Sequence, residues 1–538
     1  MSKNIFQALD RPRLARSGFD LSHEHKTTFD MGQLIPISHF ECIPGDVHKL
    51  SVSAVIRFQP LVAPVMHSIK VRYYSFFVPY RLLFEDWEEF ITRGEDGNSV
   101  ISLPVYPNPP GDDYYTYYGP GTLWDYFGYN PSQPSMGVAH EVRPLDFGRR
   151  AYWLIYNEFF RVPGLQDEMA LDSILPNADY VDPFSPTNKN WVRDYFTAAL
   201  PFQQRGTPPA LPVFGSVGVD SDMPTATTNV FDIFGTPKFM AGDSGSVPKS
   251  SSFMYLDNLS PGMNAAWKKS IDDSFQAGLS VDGAGFSSVD IADLRLAWQT
   301  QVWLERNARG GARYTEQLQM RYGTSPRDER LQRPEFIGGY TAPVLISEVL
   351  QTSQTDVGVS PQGNMAGHGI SVDGSGIGSY RVQEHGLIMI LACVDPAPSY
   401  QQGISRSWLR RNTLDFPAPE FAHLSEQAIY QAELYNIMAD SDPDGSIGRT
   451  PFGYTGMYNE MRYIPNFVSG EMRNTFDYWH LSRKFTGTPS LNSEFLKCEP
   501  SKRIFAVQNV PGIIGNFGIG LKSFRPLPYI AVPSQIGG

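Results

Sequence analysis

Alternating carboxylates, a Gly-Asp-Ser-Gly run and a group of histidines are the residues of this chain whose types and spacing suggest chemistry. Asp440, Asp442 and Asp444 in "DSDPDG" match the first half of a calcium loop, where oxygens converge on one hard cation. Position twelve of such a loop supplies a bidentate Glu, and here it is Pro451, so the stretch reads as an Asp-rich turn. "GDSGS" at 242–246 opens like the nucleophile loop of trypsin-type proteases. A serine nucleophile needs a His base held by a third group, and the sequence offers no His-bearing partner motif. His23, His25, His39, Cys42 and His48 suggest zinc, but no second ligand pair has the spacing a tetrahedral site requires. "GSGIGS" at 374–379 ends in Ser379 and fails the dinucleotide fingerprint, and no phosphate-binding G-x-x-x-x-G-K occurs. No catalytic residue, cofactor or metal is expected, with Asp440, Asp442 and Asp444 the one place where a cation would fit.

Three basic clusters remain. Lys3, Arg11, Arg13 and Arg16 make residues 1–27 a basic arm; "SPRDERLQRP" spans 325–334; and "SRSWLRRN" spans 405–412. Arg406, Arg410 and Arg411 suit phosphate while Trp408 suits base stacking, so these residues and the arm are the candidate nucleic-acid contacts. Asp328 and Glu329 inside the middle cluster make it read as an intramolecular charge network. The whole chain carries a net charge of −12, which repels phosphate and anionic lipid, so any such contact is local. The longest uncharged apolar run, "GLIMILACV" at 386–394, is far short of a membrane helix and reads as a buried strand. Charges stand where the apolar part of a signal peptide would lie, which suggests folding in a cytoplasm. Three widely spaced cysteines give no disulfide framework.

The elements that must position these groups read as mainly β. Gly 48 and Pro 43, with charged residues at 19% and aromatics at 13%, suit short strands joined by long ordered loops. "GQLIPIS", "HKLSVSAVIRF" and "HSIKVRYYSFFV" are strand-like, and in the third both alternating sets are apolar: Val71, Tyr73 and Phe77 against Tyr74, Phe76 and Val78. Such a strand is covered on both faces. "YRLLFEDWEEFI" then changes to a helical period, with Leu83, Trp87, Phe90 and Ile91 on one side and acidic residues on the other. Helices are predicted at 146–162, 287–311, 314–322 and 424–438. In the second of these, Ile291, Leu294, Trp298 and Val302 form the expected buried stripe. Seven glycines make 356–379 a loop, and the Pro, Gly, Ser and Thr of 201–263 read as a large surface insertion. Tyr73, Phe77, Trp87 and Trp298 are the expected packing or assembly residues.

Four stretches carry a family likeness: "SGFDLSHEHKTTFDMGQLIPI" (17–37), "YYSFFVPYRLLFEDWEEF" (73–90), "RGGARYTEQLQMRYGTSPRDERLQRPEFIGG" (309–339) and "GYTGMYNEMRYIPNFVSGEMR" (453–473). Over about residues 17–485 the sequence resembles the major capsid proteins of microviruses, small single-stranded DNA bacteriophages, in their gokushovirus branch. The resemblance implies one eight-stranded antiparallel jelly roll, a viral β-sandwich with long loop insertions and a few short helices, occupying 28–538 after the arm. It implies no enzymatic activity, sixty copies in a T = 1 icosahedral virion capsid assembled in the host cytoplasm, and no membrane insertion. The enclosed partners would be a circular single-stranded DNA genome and a small basic internal DNA-binding protein. The insertion 201–263 would build a three-fold protrusion that meets a host cell-surface receptor. A different class, a carbohydrate-active β-sandwich enzyme or lectin, is suggested by the loop Trp and Tyr residues. Gel filtration separates the two readings.

Overall fold

The alternation of "HKLSVSAVIRF" becomes a strand with one wet and one dry face. Leu50, Val52, Ala54, Ile56 and Phe58 are buried, while Lys49, Ser51, Ser53, Val55 and Arg57 between them are exposed. The computed structural model describes residues 15–106, 118–129, 144–179, 181–209, 219–221, 230–231, 237–238, 279–281, 291–350, 365–436 and 447–530. In chain order the strands are β1 (Ser17–Asp20), β2 (His23–Phe29), β3 (Ile35–Cys42), β4 (Val47–Phe58) and β5 (Ile69–Pro79). Next come the short β6 (Val219–Ser221), β7 (Val230–Phe231), β8 (Pro237–Lys238) and β9 (Leu279–Val281). The series ends with β10 (Glu335–Pro343), β11 (Leu345–Leu350), β12 (Met365–Arg381), β13 (Gly386–Pro396), β14 (Glu426–Tyr430), β15 (Pro451–Gly456) and β16 (Ile513–Arg525).

Two antiparallel sheets face each other. The larger runs β1-β16-β4-β12-β11 with β2 also on β16, and the smaller runs β10-β5-β13-β3. Between them lie the inward residues of β4 and β16 on one side and Ile37, Val71, Tyr73, Phe77, Ile388 and Ile390 on the other. This is a β-sandwich. The smaller sheet is covered a second time: Phe76, Val78, Met389 and Leu391 pack on Ala151, Tyr152 and Trp153 of the helix Phe147–Ile155. Accordingly β13 is buried at every position, and β5 carries the doubled apolar alternation seen in its sequence.

Among the described residues the two sheets hold ten strands rather than the expected eight. β1 and β2 lie in succession along one edge of β16, and the chain crosses between sheets from β10 to β11; these two breaks account for the difference. The expected loop at 356–379 is, from Met365 onward, the strand β12, with 356–364 outside the described residues. Glycine disfavours strands, but pairing on both sides, with β4 and β11, overrides that preference. A Cβ at Gly338 of β10 would lie 2.1 Å from the Ile377 carbonyl oxygen, so the glycine there permits the close approach of β10 and β12.

The helix expected at 424–438 is instead β14 followed by a single tight turn, Gln431–Glu433; residues 437–446 lie outside the described residues. Pairing with β15 wins because it buries Ile429 completely. The helix Ile291–Gly310 forms, but its expected buried stripe does not: Ile291, Leu294 and Trp298 are exposed and Val302 is only half-buried. Leu304 and Ala308 near its end are buried instead. "YRLLFEDWEEFI" splits into two short helices, Tyr80–Leu83 and Trp87–Thr92, and leaves Ile91 exposed. The helix Tyr314–Tyr322 ends at Gly323 in the left-handed region (φ 66°).

The chain divides into two compact units, Met1–Arg205 with Asn307–Gly538, and Gly206–Arg306. Both large sheets belong to the first; in the second β6 pairs with β9 and β7 with β8. Among the described residues no helix is long and apolar enough to cross a membrane.

Candidate assembly surfaces and basic clusters

Tyr73 and Phe77, on alternate positions of β5, both point into the sandwich. The Tyr73 ring stacks on Tyr340 at 4.6 Å, and its hydroxyl donates to the Asp373 carboxylate at 3.2 Å. Burial, with Asp373 beside it, pushes the phenol well above its ordinary range. Phe77 stacks on Tyr380 at 4.9 Å. Trp87 is half-buried, edge-on to Tyr80 at 4.9 Å and to Phe147 at 6.0 Å. Trp298 is 69% exposed. Two of the four expected packing residues are therefore core, one lies at its margin, and one is open to another surface.

Of the arginines of 405–412, Arg406 and Arg410 meet at Glu460, while Arg411 stands apart. Arg406 donates to Glu433 at 3.2 Å and to the Ala428 carbonyl, lies 3.6 Å from Glu460, and covers the Tyr430 ring at 4.7 Å. Burial opposes its charge, but Glu433 and its neighbours outweigh that and raise its pKa. Arg410 sits 3.7 Å from Glu460 and over Phe416 at 5.5 Å. Arg411 and Trp408 are exposed. In the middle cluster Arg333 pairs with Asp328 at 2.6 Å and covers Phe159 at 4.9 Å. Arg16 is exposed, and Lys3, Arg11 and Arg13 lie outside the described residues.

The remaining candidates are held separately. His23 meets the Ser38 hydroxyl at 3.2 Å, His25 the Ile37 carbonyl at 2.8 Å, and His39 lies edge-on to Phe127 at 5.0 Å. His48 is buried between Ser523 at 2.8 Å and Asp46 at 3.4 Å. Burial drives the Cys42 thiol well above its usual range. Among the described residues no three His, Cys, Asp or Glu side chains gather as metal ligands. Asp440, Asp442, Asp444 and the 242–246 run lie outside the described residues. A cavity of about 870 Å³ is lined by Asp30, Trp191, Arg483, Lys484, Phe495 and Lys502 among others. Its charges are largely engaged within the chain: Lys502 with Asp30 at 2.9 Å, Lys484 with Asp477 at 3.0 Å, and Arg483 over the Phe495 ring at 4.0 Å.

An exposed apolar surface escaped the periodicity argument. Trp408, Leu414, Phe416, Met461, Ile464 and Phe467 all present large side chains to water, Trp408 at 78% and Ile464 at 79%. Their two loops are tied together: the Ala418 amide donates to the Tyr458 hydroxyl at 3.2 Å, and the Met457 amide to the Ser425 carbonyl at 3.2 Å. Tyr458 holds a left-handed backbone (φ 59°), a conformation kept only where packing enforces it. These exposed apolar side chains on fixed loops are the candidates for a protein–protein contact. The residues lie in tight turns without helical or strand period, so no amphipathic pattern announced them.

Comparison with known proteins agrees with this arrangement. The family model for capsid protein (F protein) matches residues 9–535. Capsid protein VP1 of Chlamydia phage 1 is 34% identical, covering 99% of this chain and 97% of that protein. VP1 of Bdellovibrio phage phiMH2K is 32% identical over 100% of this chain and 98% of its own length. Capsid protein F of Escherichia phage G4 is 27% identical over 34% of this chain and 38% of its own length. Sandwich, exposed loops and full-length likeness to the VP1 proteins together place the chain: it belongs to the phage capsid protein (F protein) family.

Proposed function

We propose that this structural capsid protein closes as sixty copies into a T = 1 shell around a circular single-stranded DNA genome. The observation that carries the reading is the exposed apolar surface around Trp408 and Ile464, which a lone subunit leaves in water. Interfaces of moderate size, repeated by symmetry, hold such a particle together without covalent staples, in keeping with three free buried cysteines. A shell of chains each at −12 repels its own cargo, so a small basic internal protein is the physically required neutralising partner. Residues 17–27 of the expected arm belong to β1 and β2, paired with β16, so only the stretch before Ser17, with Lys3, Arg11, Arg13 and Arg16, adds local cations to the same task.

The unit Gly206–Arg306, which includes most of the Pro- and Gly-rich insertion 201–263, is assigned the contact with the host cell surface. Its standing as a compact unit of its own supports this. Deleting residues 210–255 is expected to leave particle yield unchanged and to abolish adsorption to the host. An infectious deletion phage would refute the assignment, and loss of particles would show that the insertion is needed for the shell.

A further inference from the structure

The outer face of the larger sheet is charged quite unlike the chain as a whole. In register, the outward positions of its three central strands, β16, β4 and β12, include Lys49, Arg57, Arg381 and Lys522 and no carboxylate. Lys49 and Lys522 stand directly opposite each other on neighbouring strands, an arrangement that like charges disfavour unless an anion lies over them. On the edge strands two carboxylates share this face: Asp20, across from Lys522, its pKa lowered by the Ser22 bonds and then by Lys522, and Glu24, across from Gly518. Among the described residues Lys49, Arg57 and Arg381 pair with no carboxylate.

Arg57 lies at the other end of β4, about 27 Å from Lys49 at the rise of a strand. It borders a depression of about 620 Å³ with Lys26, Thr28, Val55, Ile514 and Asn516. The acids at this rim are engaged: Glu24 with Lys26 at 3.0 Å, and Asp125 with the Gly121 amide at 2.9 Å. Val55 and Ile514 supply an exposed apolar floor. Between the two cationic ends the outward residues are small: Ser51, Ser53, Gly374, Gly376, Gly518 and Gly520. A Cβ at Gly374 would meet Ser53 at an ordinary 3.5 Å, and one at Gly376 would meet nothing nearer than 4.0 Å. Neither glycine has a positive φ, so neither packing nor backbone geometry demands it. Their bareness leaves the strand backbone open to a surface from outside.

We propose that this outer face of the larger sheet binds single-stranded DNA, with phosphates held at the Lys49/Lys522/Arg381 end and at Arg57, and the strand lying across the small-residue strip. The inference rests on the shell reading and makes this face the genome-facing wall. Charge complementarity selects the occupant: three central strands with outward cations and no outward carboxylate, on a chain of net −12, fit a polyanion.

The test is fluorescence anisotropy of a labelled oligothymidylate against the purified full-length chain over a salt series. Wild type is expected to bind with affinity that falls as salt rises. Lys49→Glu/Arg57→Glu/Lys522→Glu should weaken binding at least about tenfold and flatten the log–log salt slope by roughly 2, at about 0.7 per lost phosphate contact. Gly374→Leu, which leaves charge unchanged, should also weaken it, while Arg295→Glu, exposed on the helix Ile291–Gly310, should stay within about twofold of wild type. All three reversed side chains are exposed, so unchanged melting is the check on folding. Wild-type chain that ignores DNA, or face variants that bind as wild type does, would overturn the proposal. Face variants that keep DNA binding but lose shells would make the surface a contact between copies. Shells that form normally while the face proves inert would leave the shell reading intact; absence of shells from wild type would refute that reading itself.

Discussion

Arg149 shows what single residues contribute to this fold. Its guanidinium is fully buried, with Nε donating to Asp146 at 2.8 Å and the remaining nitrogens donating to Asp146 and to the Ser173 and Leu171 carbonyls at 2.5–3.0 Å. Arg149→Ala leaves Asp146 with Arg150 at 3.2 Å but takes the donor from the Ser173 and Leu171 carbonyls and empties a buried site, so it should cost about 3 kcal/mol in urea unfolding, and a loss below about 1 kcal/mol would contradict this. His480 is held neutral: its Nδ1 accepts from the Ser482 amide at 3.1 Å and its Nε2 donates to the Met472 carbonyl at 2.7 Å. Burial lowers its pKa below the ordinary 6.5, helped by Arg503 and Lys484 and opposed by the Met472 carbonyl and Asp477. The folded state thus favours the uncharged ring. Its contribution is complete above about pH 6.5 and is lost as pH falls. The melting temperature should drop between about pH 7 and 5.5, less in His480→Gln than in wild type; superimposable profiles would remove the histidine from the account. None of these partnerships was legible in the sequence. The basic cluster at 405–412 was visible, but the Glu433 and Glu460 that occupy Arg406 come from distant segments that only folding brings near.

Elements were legible where one local pattern decided them. The doubled apolar alternation of β5 and the unbroken apolar run of β13 follow from burial on two faces, and both strands stand where the sequence places them. β12 and β14 were missed because their stability comes from partners elsewhere in the chain, β4 and β15, and local glycine content or helix propensity says nothing of that pairing. The helix Ile291–Gly310 was found by its period, yet period alone does not name what covers a stripe. Its exposed Trp298 and the fully buried Trp153 make a paired test in the unassembled chain. Trp153→Ala should cost about 3–5 kcal/mol and Trp298→Ala less than about 0.5 kcal/mol by thermal melting. Equal effects would mean that Trp298 is covered in the lone subunit.

At the scale of the molecule, the sandwich completes its own core but leaves the Trp408–Phe467 surface uncovered. That division suits a building block: a subunit stable enough to fold, with apolar loops held ready on a rigid frame for its neighbours. The antiparallel sandwich was legible from strand runs and from family likeness, whereas the contact surface was not, because turn residues carry no periodic signature. The most direct measurement is negative-stain microscopy with analytical ultracentrifugation of purified wild-type chain beside a Trp408→Ala/Ile464→Ser double variant. Wild type should form uniform hollow particles sedimenting as megadalton species, while the variant stays folded and predominantly unassembled. Wild-type chain that persists as a monodisperse monomer in every buffer, or a double variant that assembles as readily as wild type, would contradict the account.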